Sequence, residues 1–177
     1  MAEIECVDSR EAYANRWMRV REDSVRRADG TLGVYGVVEK NDFAVIVAVQ
    51  DGAVAMVEQF RYPVGGRYWE FPQGSWESGP DTLALARAEL REETGLLARQ
   101  VTHAGRLFLA SGFCNQAYDV VLATGLTQGE SALESEEQGL VSRFVPIAEL
   151  EARIVSGAIM DASTVAAFGL LRLKGLL

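Results

Sequence analysis

The run Phe43–Val49 (FAVIVAV) constrains this chain more than any other stretch. It is uncharged, rich in β-branched side chains, and too short for a buried helix, so it reads as a buried strand. Asp51-Gly52 follows, the favoured pair for a two-residue hairpin. Ala53–Tyr62 (AVAMVEQFRY) is then the return strand. These residues predict an antiparallel hairpin at the heart of a sheet.

The rest of the chain supplies further strands and a few helices. Trp17–Arg21 and Gly33–Glu39 read as strands separated by a turn at Ala28-Asp29-Gly30. Val101–Leu107, Tyr118–Ala123 and Leu140–Val145 are later strand candidates. Pro80–Thr94 reads as a helix, with Leu83, Ala86 and Leu90 along one side. Ser78 and Asp81 have capping-box-like spacing, Pro80 suits the first turn, and Gly95 suits the stop. Ile147–Ser156 and Ser163–Lys174 are two short closing helices. The polar, acidic TQGESALESEEQG (residues 127–139) reads as a mobile loop. The pattern is mixed α and β with a largely antiparallel sheet, not repeated βαβ units.

Composition narrows the function classes. Seventeen Lys+Arg against 25 Asp+Glu give a net charge of −8. A nucleic-acid polymer would call for a basic face, so none is expected as partner. A small phosphate-bearing ligand held by one metal and one arginine remains compatible. Cys6 and Cys114 form no disulfide framework, which suggests a reducing compartment. The N-terminus has no apolar signal segment, and Thr164–Leu177 is too short and too interrupted by Arg172 and Lys174 to span a bilayer. The expectation is a cytoplasmic protein with no membrane partner. His103, the only histidine, lies in a strand-like run, so a Ser-His-Asp triad or a histidine zinc site is excluded.

The chemistry concentrates in Glu89-Leu90-Arg91-Glu92-Glu93-Thr94-Gly95. Glu89, Glu92 and Glu93 stand at i, i+3 and i+4 and share one helix face. Crowded carboxylates repel unless something positive sits among them. By itself the helix fits either a solvated acidic face or a site for a hard divalent cation, Mg²⁺ or Mn²⁺.

Twenty-one positions before Gly95 stands Gly74, and GSWESGPDTLALARAELREETGL between and around them resembles the Nudix box, G-x5-E-x7-R-E-U-x-E-E-x-G-U, with U aliphatic. Gly74, Glu89, Leu90, Glu92, Glu93, Gly95 and Leu96 match. The first box glutamate is Pro80 here and the box arginine is Ala88. In the family these two commonly pair, and losing both avoids the cost of about 3–5 kcal/mol that stranding one buried partner would carry. Glu77 matches an acidic position frequent in ADP-ribose-type members, and a solvated loop residue fits it equally. VEQFRYPVGGRYWEFPQG resembles the segment before the box in ADP-ribose pyrophosphatases and related nucleoside-diphosphate-sugar hydrolases, through Gln59, Arg61, Trp69, Glu70, Pro72 and Gly74. LASGFCNQAYDVVLA is similar to their S-P-G-F-x-x-E segment, with Ser111 in place of the proline and Gln116 at the glutamate.

The resemblance implies an α+β, α/β/α-sandwich Nudix fold: a mixed, mainly antiparallel sheet between helices. Residues 1–42 would be an N-terminal antiparallel β appendage that forms a homodimer, and residues 43–177 the hydrolase domain. It implies Mg²⁺- or Mn²⁺-dependent hydrolysis of the pyrophosphate of ADP-ribose or a related nucleoside-diphosphate sugar. Alternatives are GDP-mannose, a dinucleotide or nucleoside triphosphate, or an idle nucleotide sensor. Glu89 and Glu93 would be metal ligands, Glu92 a ligand or water-holder, and the Gln73 carbonyl a further ligand. Arg61 would grip phosphate, with Glu70 beside it in the substrate site. Trp17 would stack on the base, an interface or core role being its alternative. The general base would be Glu137, with Glu136 next and Glu92 in reserve.

Overall fold

A computed structural model describes residues 3–75, 81–130 and 139–177. It divides into two compact units: residues 1–42 with 108–117, and residues 43–107 with 118–177.

The smaller unit is a three-stranded antiparallel meander of β1 (Ile4–Ala14), β2 (Arg19–Arg27) and β3 (Leu32–Glu39). Side-chain patterning by itself marks neither β1 nor most of β2, because neither carries an apolar stripe; the resemblance alone implied an antiparallel β appendage over residues 1–42. What holds them is ladder bonding and cross-strand charge: Arg10–Glu22, Arg19–Glu11, Arg21–Glu39 and Arg26–Glu5 pair across the sheet. Such exposed pairs contribute only tenths of a kcal/mol each. Asp23 is buried; the Ser9 hydroxyl, 2.6 Å away, and then Arg21 hold its carboxyl below the usual range. The turn expected at residues 28–30 is present: Asp29 accepts from the Thr31 amide at 2.9 Å, and Gly30 takes positive φ. The 108–117 segment attaches through Val38 N–H to the Phe113 carbonyl, 2.8 Å, and Asn115 N–H to the Val38 carbonyl, 3.1 Å. Trp17, Leu32 and Val34 remain more than half exposed.

The larger unit is built on β4 (Phe43–Gln50) and β5 (Ala53–Arg61). Asp51 and Gly52 both have positive φ, 51° and 74°, as the expected two-residue hairpin requires. The sheet runs β10 (Val141–Pro146), β5, β4, β9 (Ala117–Gln128), β8 (Leu96–Phe108). Short strands β6 (Gly66–Glu70) and β7 (Gln73–Gly74) attach to β5 and β4. The β4–β9 pair is parallel, so the sheet is mixed. Alternation along β4 feeds two cores. Val45 and Val47 face α2 (Ile147–Val155) and α3 (Ala162–Leu173), with Leu150, Phe168 and Leu171. Ala44, Ile46 and Ala48 face α1 (Thr82–Thr94), with Leu85, Ala86 and Leu90. Each fully buried large aliphatic is worth about 1.5–3 kcal/mol. A strand buried on both faces explains the uninterrupted apolar run and produces helix, sheet and helix layers.

Helix α1 begins two residues later than the spacing suggests. Its cap is Asp81, whose carboxylate accepts from Leu83 N–H at 2.9 Å, and Thr82 is the first helical residue. Ser78 and Pro80 lie outside the described residues. Gly95, at φ 74°, ends the helix as expected. Of the acidic loop expected over residues 127–139, Thr127 and Gln128 belong to β9, and residues 131–138 lie outside the described residues. Among the described residues no helix is long and apolar enough to cross a membrane.

Candidate functional site

Strands β4 and β5 pair only beside their turn, at Val49–Val54 and Gln50–Ala53. Further along they separate: β5 takes β6 as its neighbour and β4 takes β7. The strap Glu70–Gly74 crosses that notch. Several of its polar backbone groups have partners on other elements. Pro72 has no N–H, and its carbonyl accepts from Ile46 N–H at 2.8 Å. Phe71 N–H donates to Thr164 Oγ1 at 2.9 Å, and Gln73 N–H to Glu93 Oε2 at 3.2 Å. The α3 cap holds the far side: Ser163 Oγ lies 2.9 Å from Gln73 Oε1, and Asp161 accepts from Ser163 and from Thr164 N–H. Ser163 and Thr164 are buried. An unsatisfied buried N–H would cost about 1–3 kcal/mol, so the strap is locked between the two helices.

Helix α1 meets the strap with its acidic face. Glu89 and Glu93 are buried and Glu92 is half-buried. Gly74 lies against the Glu89 carboxylate: a Cβ there would overlap it, so the end of that side chain would have to move. The three glutamates sit in the C-terminal half of α1, at the negative end of the helix dipole. Acids there are adverse unless a cation joins them. All are hard oxygen donors, the chemistry that suits Mg²⁺ or Mn²⁺. Among the described residues no three acidic, histidine or cysteine side chains form a ready-made cage. A cation of this kind is commonly held by one or two carboxylates, its own waters and substrate phosphates. The residues therefore fit a divalent cation.

Arg61, at the end of β5, forms a fork-shaped pair with Glu70, through Nε at 3.2 Å and through Nη2. Gln59 Nε2 donates to the same carboxylate at 2.7 Å. Glu70 is 2 % exposed, whereas the Arg61 side chain is 40 % exposed. Two of the five guanidinium donors are spent on Glu70, which leaves three on the exposed side to meet an anion. Glu70 is thus beneath the arginine. Burial pushes its carboxyl up, Arg61 and Gln59 pull it back, and the nearby Asp161 charge adds to the rise. The folded state therefore binds the Glu70 proton more tightly than the unfolded chain. Stability is lost as pH rises from the ordinary value of 4.5 through the raised one. Thermal unfolding of wild type and Glu70→Gln should show it: across that window the difference in Tm moves in favour of the variant as pH rises, and a flat difference would contradict the shift.

Glu89, Glu93, Gln73, Gly74, Arg61 and Glu70 thus come together around one strap. Trp17 lies in the smaller unit, 57 % exposed, with the Arg16 guanidinium 4.2 Å above its ring. Trp69 is half-buried on the α2/α3 side, with Arg143 4.6 Å over it. Glu136, Glu137, Glu77 and Trp76 lie outside the described residues. Sequence reasoning missed Asp161, Ser163 and Thr164. The string Asp161-Ala-Ser-Thr164 signals a helix start, but nothing local tells which strap its side chains grip.

Comparison with known proteins places the chain in a family. Residues 39–163 match the model of the NUDIX domain, and residues 4–38 that of the nucleoside diphosphate sugar hydrolase N-terminal domain. An ADP-ribose pyrophosphatase of Mycobacterium tuberculosis is 34 % identical over 168 residues, 93 % of this chain and 81 % of that protein. One from Bacillus subtilis is 33 % identical over 132 residues, 74 % of this chain and 71 % of that protein. The crystal structure of an ADP compounds hydrolase superposes with a TM-score of 0.88 at 20 % identity, over 100 % of this chain and 98 % of that one, a likeness of fold. Matched over most of its length, the chain belongs to the Nudix hydrolase family, with the N-terminal domain of nucleoside diphosphate sugar hydrolases preceding the Nudix domain.

Proposed function

We propose that this protein hydrolyses the pyrophosphate of ADP-ribose, releasing AMP and ribose 5-phosphate, with Mg²⁺ or Mn²⁺ held on α1. The observation that carries the reading is the packing of Glu89 and Glu93 against the Gln73–Gly74 strap, where Gly74 alone permits the approach. The relatives named ADP-ribose pyrophosphatase support the choice of substrate.

Glu89, Glu93 and the Gln73 carbonyl would hold the ion, with Glu92 a further ligand or a hydrogen-bond acceptor for its water. A divalent cation at such a site neutralises phosphate charge and makes bound water more acidic. Arg61 binds a phosphate oxygen through its exposed donors, and Glu70 fixes the plane of the guanidinium. Glu137 accepts the proton of the attacking water, with Glu136 and then Glu92 as the other candidates. Trp17 is the platform proposed for the base, and the smaller unit, with its exposed Leu32 and Val34, the surface proposed to pair two copies of the chain.

The test is a panel of ADP-ribose, GDP-mannose, ADP-glucose, NADH and nucleoside triphosphates with Mg²⁺ and product detection. ADP-ribose should give AMP fastest; binding without AMP release would instead mark a sensor. Glu137→Gln should lower kcat by about 10²–10⁴-fold with nucleotide binding kept. If Glu136→Gln alone does so, the base is Glu136.

A further inference from the structure

Asp119 is a carboxylate in the apolar strand β9, 9 % exposed between Tyr118 and Val120, and the proposed hydrolysis does not use it. Thr82 Oγ1 donates to its Oδ2 at 3.0 Å, His103 Nε2 lies 2.9 Å from its Oδ1, and Arg106 Nη1 donates to Oδ2 at 3.3 Å. Thr82 is the first residue of α1, and His103 and Arg106 come from β8. Besides Asp81, which caps α1 from its own chain segment, the sheet thus brings a second carboxylate to the helix's positive end.

The strand register makes this contact more than local. Ala44 of β4 pairs with Asp119 on one side and with Gly74 on the other. Asp119 and Gly74 therefore stand in one row, two strand spacings apart, about 10 Å. Thr82 and Glu89 are seven residues apart on α1, one face and about 10 Å of rise. The two spans coincide: α1 meets one row of the sheet at two points, Thr82 on Asp119 and Glu89 on Gly74. Two points fix how far the helix slides and turns over the sheet. Ala88 provides no arginine to brace it otherwise.

We infer that Asp119 is a positioning residue: through Thr82 it sets the placement of α1, and so the seating of Glu89 and Glu93 against the strap. The inference rests on the proposed cation role of those glutamates. It is tested on the full chain with Thr82→Val, Thr82→Ser, Asp119→Asn and the Asp119→Asn/Thr82→Val double variant. Three quantities are measured: amide hydrogen exchange along α1, Mn²⁺ affinity by titration, and kcat and KM for ADP-ribose. Thr82→Val and Asp119→Asn should speed exchange in α1 and weaken Mn²⁺ binding and kcat by about 10-fold, with KM little changed. Thr82→Ser, which keeps the hydroxyl, should restore all three. The double variant should be no worse than Asp119→Asn alone, because both act through one contact. Wild-type exchange and Mn²⁺ affinity in Thr82→Val, or losses in the double variant equal to the product of the singles, would overturn the inference. If wild type itself releases no AMP, the hydrolysis reading falls, and exchange and Mn²⁺ binding still decide the anchor.

Discussion

Glu93→Gln should abolish most ADP-ribose hydrolysis, lowering kcat by about 10³-fold, while the protein stays folded. The substitution keeps size and shape. The amide oxygen can still accept from Gln73 N–H, the bond that Glu93 Oε2 makes at 3.2 Å. What disappears is a buried negative charge, and burying an amide costs less than burying a carboxylate. A loss of rate without a loss of stability would therefore report the charge itself. The measurement is kcat with saturating Mg²⁺ alongside thermal unfolding. A variant that hydrolyses at the wild-type rate would remove Glu93 from the cation site.

Gly74→Ala should be nearly as damaging by a different route. Its Cβ would overlap the Glu89 carboxylate, and the strap cannot retreat because Phe71, Pro72 and Gln73 are each bonded to a different element. The Glu89 carboxylate must move. Moving the end of a side chain costs little stability, but a misplacement near 1 Å at a reacting centre can cost about 10²-fold in rate. Glu89→Ala removes the colliding group and should itself be inactive, and the Gly74→Ala/Glu89→Ala double variant should be no worse than Glu89→Ala alone, because both act through one carboxylate. A wild-type rate in Gly74→Ala would refute the close approach.

Much of the framework was legible because it is written in spacing along single elements. The β4–β5 hairpin follows from one apolar run and an Asp-Gly turn. The acidic face of α1 follows from three glutamates at i, i+3 and i+4. Less legible were β1 and most of β2, polar strands held by partners on neighbouring strands. Asp119 was a different omission: a lone carboxylate in an apolar strand is a visible signal, but its partner Thr82 is 37 residues away.

The sequence by itself determined which groups ride together: the glutamates on one helix, Gln73 and Gly74 on one strap, Arg61 at the end of one strand. Only the tertiary structure decided what each faces. The separation of β4 from β5 admits the strap, Glu70 lies beneath Arg61, and the Gly74–Ala44–Asp119 row matches two turns of α1. The reason is physical. Periodicity fixes directions within an element, whereas the meeting of groups from different elements depends on how those elements pack.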